Sequence, residues 1–223
     1  MWEIVRAGGP VMWPIILCSI IAVAIMFERL WTLQDRRVLP ADLIPRVQQL
    51  IDTNQVSERV IEAIEKTSPL GRVLAVGLAN RHRPREIMMD RLEDTGRHVV
   101  HELERFLNTL GTVAAVSPLL GLLGTVTGII NAFNAITSQG VGDPRVLSGG
   151  IGEALITTAA GLIVAIPALV AHRYLRGKVD SLVIDMEKEA MKLVQALDQA
   201  QAPGAFPAGT AHGPVAVVAS TGT

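Results

Sequence analysis

The 223-residue chain is 49% apolar, 18% charged and close to neutral, with a formal net charge of −1. That charge density is low for a soluble domain, and the neutral balance excludes the broad basic field of a nucleic-acid binder. A single cysteine, Cys18, excludes a disulfide framework within one chain.

In chain order, residues 1–10 form a short N-terminal segment with one basic residue, Arg6, offset by Glu3. The run "VMWPIILCSIIAVAIMF" then opens a first span over 11–32. It is long and ends in "FERLW" without a small-residue cleavage site, so it reads as a retained helix rather than a signal peptide. All three tryptophans, Trp2, Trp13 and Trp31, lie in the first 31 residues, a placement that suits a membrane–water belt.

Residues 33–106 are polar. "ADLIPRVQQLID" and "VSERVIEAIEKT" show helical apolar spacing, and "SPLGRVLAVGLANR" offers Ser68 as an N-cap with Pro69 at the first helical position. Pro84 resets the chain. From residue 85, Met88, Leu92, Thr95, Val99, Leu103, Phe106 and Leu110 make a one-sided stripe that runs into a second span, 107–137. The pattern predicts one unbroken helix over 85–137, about 80 Å long. A short loop over 138–152 includes the start of the third-span helix. The third span, 153–175, then continues into a helix over 176–200 with the stripe Val179, Leu182, Met186, Ala190, Leu193 and Leu197. The two long helices are expected to be antiparallel, their polar halves meeting stripe to stripe. The last residues, 201–223, lack periodicity and read as a disordered tail.

Charge sets the expected orientation. Residues 33–106 carry twelve Lys or Arg, and Arg173, Arg176 and Lys178 follow the third span at once, whereas the loop after span two has only Arg145. The positive-inside rule then gives the fold class: an all-α membrane protein with three transmembrane helices, N-terminus out and C-terminus in. Its two long helices extend into a helical cytoplasmic domain.

The spans carry few polar groups. Gly124 and Gly128 form a GxxxG pair, with Gly121 beside them, and read first as helix-packing surface. Pro118 and Pro167 are expected to kink their helices, with Ser117 or a neighbour satisfying the carbonyl that Pro118 frees. Thr125, Thr127 and Asn131 are neutral polar residues whose packing role, as interhelix glue or bonded back to their own backbone, weighs evenly against a functional one. In "GGIGEALITTAAGLIVAIPALVAH", Glu153 stands before an apolar core of 18 residues. Spacing alone favours a wet helix end stabilised by the dipole; the alternative is an intramembrane acid able to carry a proton. Helical geometry sets Thr157 on the Glu153 face and Thr158 well round from it.

Enzymatic readings find little footing. His98, His101 and Glu102 mimic a metal face, yet no further ligand cluster completes it. "GLLGTVTG" lacks the Lys-Ser/Thr of a phosphate loop, and Cys18 has no histidine near it in sequence. No cofactor is called for.

With "SPLLGLLGTVTGIINAF", "GGIGEALITTAAGLIVAIPA" and "ERLW", residues 1 to about 195 resemble the MotA/TolQ/ExbB proton-channel family, nearest to its ExbB branch with TolQ close behind. The resemblance implies a homopentamer in the bacterial inner membrane, spans two and three lining a pore that holds the single transmembrane helices of an ExbD-like dimer. A TonB-like protein passes on work drawn from the proton-motive force. The family's pore acid falls on Glu153 and its pore threonines on Thr125 and Thr158. Its "GTVWGIMN" stretch is matched by Gly124 to Asn131, with Thr127 in place of the aromatic. Thr157 is an additional hydroxyl. A Tol-Pal role in envelope integrity, and a non-conducting scaffold, stand as alternatives.

Overall fold

The apolar run after Gly9 folds as one helix, α1 (Met12–Thr32), with Pro14 in its first turn, where no helical hydrogen bond is lost. The computed structural model describes residues 8–53, 55–139 and 144–201, and all regular structure among them is helical. Four short helices follow: α2 (Asp35–Val38), α3 (Leu43–Asp52), α4 (Glu58–Glu65) and α5 (Pro69–Ala79). Three long ones complete the chain: α6 (Arg85–Leu103), α7 (Leu107–Gln139) and α8 (Pro144–Gln201). The expected N-terminal segment up to residue 7, the loop residues 140–143 and the tail from 202 lie outside the described residues.

The local signals act as their chemistry predicts. The Ser68 hydroxyl accepts from the Gly71 amide at 3.0 Å, capping α5 just ahead of Pro69. Pro84 stands immediately before α6. Both apolar stripes are buried: Met88, Leu92, Val99, Leu103 and Leu110 on one side, Val179, Leu182, Met186, Leu193 and Leu197 on the other. α8 is continuous for 58 residues, through Pro167 and from the third span into the polar half.

Two expectations are corrected. First, residues 85–137 are not one helix. The helix stops at Leu103 and restarts at Leu107, and Phe106 between them has φ 63°, a left-handed conformation that costs a side-chain-bearing residue about 1–2 kcal/mol. The turn throws Phe106 out of the stripe and leaves it exposed. Arg29, near the end of α1, stabilises the break. Its guanidinium is buried, donates to the Glu102 and Leu103 carbonyls at 3.3 Å each, and pairs with Glu28. A cation thus caps carbonyls at the end of α6, that of Glu102 being shared with the Arg105 amide. Second, the stripes of α6 and α8 do not meet directly along their length. α5 lies between them: a Cβ added at Gly77 would come within 2.7 Å of Leu193 Cδ2 and 3.4 Å of Leu92 Cδ2. Leu70, Leu74 and Leu78 on α5 are fully buried as a result, each adding about 2 kcal/mol of apolar burial.

The remaining half is a three-helix layer. α7 and α8 run antiparallel with the most extensive contact in the described chain, and α1 packs on both. Three helical stretches, Met12–Thr32, Arg85–Asn134 and Ser148–Ala200, are long and apolar enough to cross a membrane. At most 33% of the most apolar window in each is buried. Leu122, Phe133, Ile163 and Val170 are among the large side chains left on the outside. A surface of that kind needs lipid or another subunit to cover it.

Candidate functional site

The site is built on the seam between α7 and α8, where small residues alternate with the side chains that fill the space they leave. Working down the seam, an added Cβ at Gly150 would meet the Ala132 Cβ at 2.6 Å, and one at Gly128 would meet the Ala154 Cβ at 3.1 Å. At Gly124 it would overlap Thr157, at Gly121 it would lie 3.0 Å from the Thr158 Cα, and at Gly161 only 2.6 Å from the Ser117 carbonyl oxygen. Close backbone approach of this kind is what a small-residue stripe allows. Gly121, Gly124 and Gly128 therefore act as packing surface.

The threonines divide. Thr157 is fully buried against Gly124, and its hydroxyl lies 2.8 Å from the Glu153 carbonyl and 3.0 Å from the Gly8 carbonyl. One proton serves only one of these acceptors at a time. Thr158 donates across the seam to the Gly121 carbonyl at 2.9 Å. Thr125 and Thr127 bond to their own helix, Thr125 to the Leu122 carbonyl at 2.6 Å and Thr127 to the Leu123 carbonyl at 3.0 Å. Asn131 is exposed. Ser117, fully buried, donates to the Val113 carbonyl at 2.8 Å, one residue short of the carbonyl of Ala114 that Pro118 frees.

Glu153 is where the structure changes the reading most. α8 begins at Pro144, so Glu153 is not at a helix end; it lies nine residues, about 14 Å, inside. The dipole's effect falls off within the first turn, and the wet-end explanation loses its basis. The side chain is half-buried and rests on Gly9. Gly9 has φ 65°, and a Cβ there would overlap the Glu153 carboxylate, so both backbone and space demand glycine. Gly8 and Gly9 lie over the face of α8 that carries Glu153 and Thr157.

The structure thus brings Glu153, Thr157 and Gly124 together with Gly8 and Gly9, and ties Thr158 to Gly121. Thr125 is turned back on its own helix. Sequence reasoning missed Gly8 and Gly9, Gly150, Gly161 and Arg29. "GGP" just ahead of the first span was the available sign of a tight turn. The Glu102 carboxylate of the apparent metal face is engaged by Arg72, at 2.7 and 2.5 Å, which lowers its pKa chiefly through that hydrogen bonding.

A buried small-residue seam beside one carboxylate, in a chain with three membrane-grade helices, matches a known family. The sequence profile of the MotA/TolQ/ExbB proton channel family aligns with residues 65–188, more than half of the chain. The chain belongs to that family. As a MotA/TolQ/ExbB family member it is a multi-pass membrane protein, and the family is a channel family rather than an enzymatic one. It is 38% identical over 176 residues to an ExbB-like 1 biopolymer transport protein of Synechocystis sp., covering 75% of this chain and 67% of that one. It is 30% identical over 183 residues to the biopolymer transport protein exbB1 of Vibrio cholerae, covering 80% of each. A Haemophilus influenzae Tol-Pal system protein, TolQ, is 43% identical over 86 residues, 39% of this chain and 38% of that one. ExbB-named proteins are the relatives it resembles over most of its length.

Proposed function

We propose that this chain is the ExbB-like subunit of a proton-conducting motor in the bacterial inner membrane, using the proton-motive force to energise TonB-dependent transport across the outer membrane. The observation that carries the reading is Glu153: an acid well inside α8, half-buried against Gly9 and one turn from Thr157, which packs on α7, a helix of 33 residues with no charged side chain. An ionisable side chain at membrane depth marks an ion pathway by default. One acid does not make a relay. The next proton site comes from a partner, an ExbD-like single-span subunit whose dimer occupies a pore lined by α7 and α8 of five copies. The lipid-exposed α1 and the bare apolar faces of α7 and α8 agree with that assembly. Thr125 and Thr158 border the pathway, each hydroxyl able to give up its backbone acceptor to an ion or water. Thr157, enclosed in the subunit, sets the Glu153 helix turn rather than the pore wall. The positive-inside bias puts the polar half in the cytoplasm.

Proton flux through complexes of this chain with its ExbD-like partner, reconstituted in vesicles under a pH gradient, tests the reading. Glu153→Gln is expected to abolish flux while the oligomer elutes at its parental size. Flux unchanged by that substitution would sink the role of Glu153, and no flux from the parent under any gradient would leave a scaffold. The local match to TolQ favours one second reading, a Tol-Pal envelope-integrity motor. A deletion strain that leaks periplasmic contents yet imports siderophores normally would select it.

A further inference from the structure

Where α1 ends and α8 leaves its most apolar stretch, the two helices part around a cavity of about 480 Å³. Its walls are graded. Leu30, Leu33 and Leu175 supply an apolar side; Arg36, Asp35 and Lys178 supply a charged one, with Tyr174 at the edge. The rim faces outward: Trp31 and Tyr174 are each 62% exposed, and Leu30 is 50% exposed. Exposed aromatics at the end of an apolar helix sit at headgroup depth in a bilayer.

The charge at this level is one-sided. Residues 33–37 and 173–178 contain Arg36, Arg37, Arg173, Arg176 and Lys178 against one acid, Asp35. Asp35 accepts from Lys178 at 2.6 Å and holds that ammonium at the cavity wall, leaving two of its three donors for another acceptor. The Arg37 guanidinium lies over the Trp31 ring, 4.7 Å from its centroid, so the cation is held beside the apolar belt rather than out in solvent. A void with an oily side, a cationic side and an opening onto the lipid-facing belt fits one kind of molecule: an acyl chain joined to an anionic head.

We propose that this cavity binds the headgroup of one anionic phospholipid, with its phosphate between Arg36 and Lys178 and an acyl chain along Leu30 and Tyr174. A zwitterionic lipid brings no net charge to offset the cations, so phosphatidylglycerol is held in preference to phosphatidylcholine. The occupant is a bilayer lipid because the cavity continues into the exposed face of α1, where Phe27, Leu30 and Trp31 stand bare.

Trp31 is the reporter. In the full chain carrying Trp2→Phe and Trp13→Phe, it is the sole tryptophan. That protein is placed in phosphatidylcholine vesicles doped with brominated phosphatidylglycerol or, separately, brominated phosphatidylcholine. The expected result is stronger quenching by the brominated phosphatidylglycerol at equal dose. One interfacial cation changes lipid preference by about fivefold, so Arg36→Gln should cut the excess by about that factor. Lys178→Gln should act in the same direction, and helicity by circular dichroism checks that both variants fold. Equal quenching by the two lipids overturns the proposal. So does an excess that survives both substitutions, or one abolished by millimolar inorganic phosphate, which marks a free-anion site. Absence of quenching by either lipid means that a neighbouring subunit covers the cavity, and equally overturns it.

Discussion

Glu153 owes its position to residues that carry no chemistry. Gly9 admits the carboxylate because it has no side chain, and Gly124 admits Thr157 for the same reason. Gly9→Ala forces a Cβ into both a left-handed backbone and the carboxylate, whereas an added Cβ at Gly8 meets only the flexible Met12 side chain at 3.1 Å. Gly9→Ala is therefore expected to depress reconstituted proton flux several-fold while Gly8→Ala stays near the parent. The same contrast applies to stability. Gly161→Val drives a branched side chain into the Ser117 carbonyl and should lower stability by about 1–3 kcal/mol, read as the thermal midpoint in detergent. Gly177 has open space around it in the same helix, and Gly177→Ala should raise stability by about 0.5–1 kcal/mol. The sequence made Glu153 conspicuous by its isolation, and helical spacing set Thr157 on its face. The sign of a helix start at Pro144 was Asp143 followed by proline after Gly140 and Gly142, a cap residue ahead of a first-turn proline. What the sequence could not show is Gly8 and Gly9 against Glu153, a contact about 145 residues apart in the chain.

Among the elements, the joint between α6 and α7 escaped periodicity for a specific reason. Leu103, Phe106 and Leu110 keep helical spacing across the break, and Glu104 and Arg105 carry no glycine or proline signal. The break is set from outside, by Arg29, whose guanidinium also lies 5.5 Å from the Phe106 ring. Arg29→Gln should speed hydrogen exchange at the Glu104 amide, which closes the last turn of α6 on the Val100 carbonyl. At Phe106, a β-branched residue tolerates the left-handed region worst. Phe106→Ile is thus expected to lower the thermal midpoint more than Phe106→Asn, and the reverse order would show that the ring contacts outweigh backbone strain. The α5 wedge was half legible: its cap and its apolar character are plain in "SPLGRVLAVGLANR", but not that it enters between the two stripes.

Over the molecule as a whole, helical class and three spans follow from composition and run length, since those depend on local hydrophobicity alone. On the polar side, ion pairs link elements distant in sequence: Arg72 with Glu102, Lys178 with Asp35, Arg85 with Asp198. The first has a pH signature. Hydrogen bonding from Arg72 depresses the folded pKa of Glu102, so its contribution is fully present above the ordinary carboxylate value near 4.5 and is lost as pH falls through the lowered value. For so exposed a pair it amounts to at most about 1 kcal/mol. The gap in thermal midpoint between the parent and Glu102→Gln should accordingly be visible at neutral pH and close under strongly acidic conditions.

The unbroken course of α8 has a mechanical consequence. Of the two long membrane-to-polar connections, one is jointed at Phe106 and the other is a single shaft. From Glu153 to Gln201 that shaft measures about 72 Å at 1.5 Å per residue. A tilt of about 5° at the carboxylate end sweeps its far tip through about 6 Å by the same geometry, more than one helical turn of travel. On the proposed function, an ångström-scale event at Glu153 would be geared up by this shaft, without any hinge, into a displacement of that size at its far end.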